Sequence, residues 1–116
     1  MNKAISWLDK ELQYCFTNID LFNQALTHRS ASKKNNERLE FLGDAVLDFV
    51  VSEKLFILRP NASEGDLSKL RSFLVKEATL ADLALELGLG DHLILGSGEL
   101  KAGGYRRESI LSDALE

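Results

Sequence analysis

Residues 36–44 read NERLEFLGD and open a 23-residue run, NERLEFLGDAVLDFVVSEKLFIL, that ends before Arg59-Pro60-Asn61. The run has the length and composition of one long helix, stopped where proline excludes the α conformation from the residue before it. On a helix turning about 100° per residue, Glu37, Glu40, Asp44 and Asp48 fall in one sector. The apolar residues Leu39, Leu42, Val46, Leu47, Phe49, Val50, Val51, Leu55 and Phe56 point nearly all round, the pattern of a central, buried helix. Glu40 and Asp44 would then sit at one end of the most buried helix of the chain. Like charges at i and i+4 repel, and desolvated carboxylates are costly without a partner. A divalent cation removes both penalties, and hard oxygen ligands at helical spacing suit magnesium. A solvated acidic stripe with Arg38 as ion-pair partner is the plain alternative. A second pair, Asp113 and Glu116 at i and i+3, shifts the balance, because two helices that each offer two carboxylates can build a metal site.

Outward from this run the chain is helical almost throughout, so the expected fold class is all-α. Trp7, Leu8, Leu12 and Tyr14 predict a short first helix. Asp20 is the expected cap of a second, with Leu21, Phe22, Ala25 and Leu26 inward. THRSASKKNN is a polar connection. Ser63, with Asp66 three residues on, opens a helix that carries Leu67, Leu70, Phe73 and Leu74. Residues 76–87 (KEATLADLALEL) repeat the pattern, closed by Gly88 or Gly90. GDHLILGSGELKAGG predicts a loop with at most one short turn. A last helix starts near Arg106 and carries Ile110, Leu111, Ala114 and Leu115. It reaches Glu116 without a capping signal, so the natural protein is expected to continue, and Asp113 and Glu116 are expected to need the following turns to hold them in place.

Length and composition bound the function. A chain of 116 residues with 45% apolar content suits one folded domain with a real core. No stretch approaches the ~20 apolar residues of a membrane span. Asp9, Lys10 and Glu11 interrupt the place where a secretory signal needs its apolar run, and Cys15 has no partner in the chain. A cytoplasmic protein with no membrane contact is therefore expected. The net charge of −4 argues mildly against a polyanionic partner. Basic residues cluster beside the acidic motifs, however: Arg29, Lys33, Lys34 and Arg38 before the first, and Lys101, Arg106 and Arg107 before the second.

NERLEFLGD resembles the signature of the ribonuclease III family. ALTHRS (25–30), EGDLSKLR (64–71) and LGSGELKAGGYRRESILSDALE (95–116) resemble the family's other pieces in the right order, so the resemblance covers essentially the whole chain and is closest to the bacterial enzymes. It implies the all-helical endonuclease-domain fold for residues 1–116, ending inside the last catalytic helix and without the double-stranded-RNA-binding domain typical of bacterial members. It further implies a homodimeric, magnesium-dependent endoribonuclease that hydrolyses double-stranded RNA to 5′-phosphate and 3′-hydroxyl ends. Ribosomal RNA precursors and other structured transcripts would be processed in this way. By the resemblance, Glu40, Asp44, Asp113 and Glu116 are the metal ligands, with Asp44 and Glu116 also catalytic. Two magnesium ions would be held per site, with manganese able to substitute. Glu37 and Glu64 match acidic positions that handle RNA near the cleavage site, and Phe41 matches an aromatic that plugs a socket on the partner subunit. Lys33, Lys34, Lys101, Arg106 and Arg107 are candidate phosphate contacts. His28 and Arg29 have two readings, RNA contact and loop capping. Chemistry of this kind is attack of metal-activated water on phosphorus, without a covalent enzyme intermediate. The competing reading is a non-catalytic dimeric relative that binds RNA or acts as a scaffold, against which the four intact carboxylates argue.

Overall fold

Among the described residues the chain forms seven α-helices, six of them in the segments that the apolar periodicity marks. The computed structural model describes residues 2–116. The helices are α1 (Asn2–Leu12), α2 (Ile19–Leu26), α3 (Glu37–Leu58), α4 (Glu64–Val75), α5 (Glu77–Leu87), α6 (Ser97–Lys101) and α7 (Glu108–Leu115), with 3-10 turns at Leu89–His92 and Gly104–Arg106. Ser63 caps α4 as expected, its hydroxyl accepting the Asp66 N–H, and Gly88 closes α5 in the left-handed conformation. Four local expectations need correction. Asn18, not Asp20, caps α2: its side chain accepts the Leu21 N–H, which leaves Asp20 inside the first turn. Tyr14 lies beyond α1, past Gln13 at φ 53°. The glycine-rich segment holds more order than a loop, with two 3-10 turns and α6. The last helix begins at Glu108, two residues later than expected.

Leu8, Phe22, Leu26, Ala81, Ala84, Leu89 and Leu111 make the core, so α1, α2, α5 and α7 wrap one another. The long helix α3 is not central. No residue of it is buried, and Phe41, Phe49 and Phe56 are 81%, 68% and 74% exposed. Its main contacts within the chain are with α4 along one side, where Arg71 donates to the Ser52 hydroxyl at 3.0 Å, and with α7 near its start. An apolar cavity of about 610 Å³ separates its first turns from α1 and α2.

The start of α3 is fixed by polar bonds instead of apolar packing. Buried Asn36 donates its backbone N–H to the Thr27 carbonyl (2.9 Å) and its side-chain amide to the Ala25 carbonyl (3.1 Å). Gln24 donates to the Asn35 carbonyl, and Asn35 accepts the Glu37 N–H. These bonds tie the end of α2 to the turn that presents Glu37 and Glu40. Removing the Asn36 amide leaves a carbonyl at the end of α2 without its donor. Asn36→Ala is expected to lower the free energy of unfolding by about 1–3 kcal/mol. Exposed Lys34→Ala should stay within about 0.5 kcal/mol. Equilibrium denaturation of the two variants measures the difference.

Candidate metal centre

Glu40 sits on the first turn of α3, and Asp113 and Glu116 at the end of α7. One carboxylate oxygen from each of the three lies within 4.8 Å of the others. Asp44, one turn beyond Glu40, shares a side-chain hydrogen bond with Glu116. The two helices meet here because residue 43 is glycine: a methyl group at Gly43 would overlap the backbone carbonyl of Glu116. Glycine between two acidic positions therefore has a physical reason, since any side chain would push α7 and its carboxylates away.

The crowding shows in the acidities. Burial, then the neighbouring charges of Asp113, Asp44 and Glu37, raises Glu40 above the usual carboxylate range. Burial and Glu77 raise Asp113, while His28 and Arg29 pull it back. Glu116 is pushed up to about 8, first by burial, then by its hydrogen bond to Asp44 and the charges of Asp44, Glu40 and Asp113. Adjacent carboxylates cannot all ionise cheaply, so Glu116 holds its proton far more tightly than an ordinary carboxyl. A set of hard oxygen donors that is short of positive charge and converges from two helices fits a divalent cation.

The other predicted positions are scattered. Glu37 is exposed and paired with Arg29 at 3.7 Å. Asp48 is half-buried on α3, a full turn beyond Asp44. Glu64 is exposed on the first turn of α4, which follows the far end of a 22-residue helix about 33 Å long. Within one chain it does not reach the carboxylates. Lys33, Lys34 and Lys101 are exposed, and Arg106 lies over the Tyr105 ring. Arg107 alone of the predicted phosphate contacts lines the polar cavity, of about 610 Å³, that opens beside Glu40 and Asp113. Arg29, His28, Glu37 and Glu99 line it too.

Glu99 lies on α6, outside both acidic motifs. Its Oε2 is buried without a hydrogen-bond partner and lies 3.5 Å from Arg107, a charge contact and not a hydrogen bond. The available signal was Gly104, where a Cβ would come within 2.6 Å of the Glu99 side chain.

The ribonuclease-III-like family profile matches residues 18–116. The chain belongs to the ribonuclease III family. It is 62% identical over 109 residues to the ribonuclease 3 of Actinobacillus pleuropneumoniae serotype 5b, covering 94% of this chain and 49% of that protein. It is 55% identical over 116 residues to the Vibrio vulnificus ribonuclease 3, covering 100% and 52%. The chain thus spans about half the length of the curated relatives it matches. The solved nuclease domain of ribonuclease III from Campylobacter jejuni superposes with a TM-score of 0.91 at 52% identity, covering 96% of this chain and 78% of that one. That protein is described as structurally flexible in a region involved in dimer formation. Membership of the ribonuclease III family makes this chain homologous to enzymes and accounts for the all-helical fold.

The Glu116 shift gives a signed pH dependence. Unfolded, this carboxyl ionises near 4.5; folded, near 8. Between those values the folded state binds more protons than the unfolded one, so stability falls as pH rises. The metal-free protein should lose thermal stability from about pH 4.5 to about 8. Magnesium should raise the Tm more at pH 8 than at pH 5, with proton release on binding. Glu116→Gln should flatten both trends. Melting curves with and without magnesium, together with calorimetry in buffers of different ionisation enthalpy, check this.

Proposed function

We propose that this chain carries the nuclease centre of a magnesium-dependent endoribonuclease that hydrolyses phosphodiester bonds in double-stranded RNA, leaving 5′-phosphate and 3′-hydroxyl ends. The observation that carries the reading is the convergence of Glu40, Asp113 and Glu116, with Asp44 bonded to Glu116, in a chain of this family. Glu40, Asp44, Asp113 and Glu116 would hold two magnesium ions, or manganese in their place. Bound there, the metal supplies a water of lowered pKa as nucleophile and charge stabilisation at the departing 3′-oxygen. The chain's own part is to present rigid oxygens from two helices locked together at Gly43, with the tightly held proton of Glu116 the one that would have to leave for a cation to bind. Asp44 and Glu116 are the groups proposed to act closest to the reacting water.

An acidic protein can serve a polyanion in this scheme because its acids are ligands, neutralised where RNA approaches. Lys33, Lys34, Lys101, Arg106 and Arg107 are proposed to draw in phosphates, and Glu37 and Glu64 to handle RNA near the cut. Since Glu64 stands at the other end of α3 from Glu40, its proposed role is at the centre of a second copy. Duplex RNA would be read by shape and 2′-hydroxyls. The proposed setting is the processing of ribosomal RNA precursors and other structured transcripts in the cytoplasm.

A homodimer belongs to the same reading. Phe41, Phe49 and Phe56 fall within about 80° around α3 and, with Phe73 on α4, leave an apolar surface open. Patches of this kind mark interaction sites. Phe41, the most exposed of them, is the proposed anchor.

In the full-length protein, Asp113→Ala and Glu116→Ala are each expected to abolish magnesium-dependent cleavage of a plain RNA duplex while duplex affinity measured in calcium stays nearly unchanged. Affinity that collapses together with cleavage would refute the ligand assignment. Phe41→Ala should weaken dimerisation by about 2 kcal/mol, roughly thirtyfold in Kd, by sedimentation.

A further inference from the structure

The turn before α3 carries a histidine, His28, with one ring nitrogen that the fold does not engage. Residues 27–30 are clamped to the segment that leads into α6. Ile94 donates to the Leu26 carbonyl and His28 donates to the Ile94 carbonyl, both at 2.9 Å. The Gly96 N–H donates to the Ser30 hydroxyl at 2.9 Å, and a methyl group at Gly96 would overlap the Ser30 carbonyl. Within this clamp the Ser30 backbone N–H donates to His28 Nδ1 at 3.1 Å, and the Ser30 hydroxyl lies 2.8 Å from the same nitrogen. A ring nitrogen that accepts a backbone N–H carries no proton, so the neutral imidazole has its proton on Nε2. Among the described residues Nε2 has no hydrogen-bond partner, and the half-buried ring lines the polar cavity with Glu40, Asp113, Arg29 and Arg107.

The surroundings identify what that donor meets. Of the two guanidiniums at the cavity, Arg29 is held loosely by Glu37 at 3.7 Å, and Arg107 faces Glu99 at 3.5 Å. The exposed Arg29–Glu37 pair is worth about 0.2–1 kcal/mol, less than a charge-assisted bond to phosphate. A fixed N–H donor beside the metal ligands, in a cavity lined by the readily released Arg29 and by Arg107, suits an anionic oxygen. We propose that His28 donates a hydrogen bond from Nε2 to a non-bridging phosphate oxygen of the RNA strand in this cavity, and that Ser30, held by Gly96, fixes the tautomer that allows it. The inference rests on the nuclease reading and adds a substrate-positioning residue to it.

Three substitutions in the full-length protein separate this role from turn-holding. Glutamine can place an amide N–H near the position of Nε2; asparagine can keep an acceptor near Nδ1 but offers nothing at Nε2. Duplex affinity in calcium and cleavage in magnesium are measured for His28→Gln, His28→Asn and His28→Ala, with the Tm of each. His28→Asn and His28→Ala are expected to lose about tenfold in duplex affinity and to raise KM alike, while His28→Gln stays near wild type. Substrates with one methylphosphonate close to the scissile bond should, at one position, show a loss that does not add to that of His28→Asn. Single 2′-deoxy substitutions should remain additive. Wild-type behaviour of His28→Asn, or losses that follow Tm across all three variants, would overturn the proposal. So would non-additivity with a 2′-deoxy position instead of a phosphate. A wild-type protein that binds duplex without cutting it counts against the nuclease reading, and the calcium binding series still decides the role of His28.

Discussion

The close approach of α3 and α7 at Gly43 is the constraint on which the rest of the site depends. With no side chain at residue 43, the Glu116 backbone rests against α3, and carboxylates from two helices are pressed into one space. Coulomb repulsion and desolvation oppose this, and they weaken Glu40, Asp113 and Glu116 as acids. The helices still meet because the energy that holds them lies elsewhere. Leu111 on α7 is fully enclosed with Ala81 and Ala84 of α5, and Asn36 fixes the start of α3 through buried hydrogen bonds. A rigid frame stabilised at a distance keeps an electrostatically unfavourable group of acids assembled, and a cation relieves it.

Local features were legible from residues because they depend on neighbours in sequence. Ser63 and Gly88 cap their helices, and Pro60 marks the end of α3, because side-chain oxygen, left-handed backbone and a missing N–H act within a few residues. The miss at α2 has the same scale: Asn18 and Asp20 are both good caps two residues apart, and only the geometry shows which side chain accepts the Leu21 N–H. The burial of α3 could not be read in this way. Apolar residues all round a helix record that each side is to be covered, not that one chain supplies the cover. Here α4 and α7 cover part of the surface and leave the row of Phe41, Phe49 and Phe56 open, which is where the proposed second copy would bind.

The candidate site divides along similar lines. Glu40 with Asp44, and Asp113 with Glu116, share helical faces and were visible as pairs. Their meeting depends on a contact between helices more than sixty residues apart, and only the family resemblance anticipated it. Glu99 and the Ser30–His28 pair carry no periodic signal, because their positions come from the parallel bridge of Thr27 with Ile94 and from Gly96 and Gly104 packing on other segments. Glycines in the 95–104 stretch look like loop flexibility in a sequence. Two of them are sites of close approach, where backbone or a carboxylate occupies the space a Cβ would need.

This arrangement also bears on how a chain of net charge −4 can approach a duplex. Long-range attraction is not supplied by the whole molecule, so it has to be local, and it is weakened wherever a cation is already paired. Arg29 and Arg107 each face an acid at a distance too long for a strong hydrogen bond. Glu37 keeps Arg29 near the cavity mouth at little energetic cost, and a phosphate can displace it, whereas Glu99, with a buried oxygen, holds Arg107 more firmly. A stronger pair would order Arg29 better and release it less readily. Loose pairing thus serves a site that has to hold cationic groups ready beside an acidic centre without neutralising it before substrate and metal arrive.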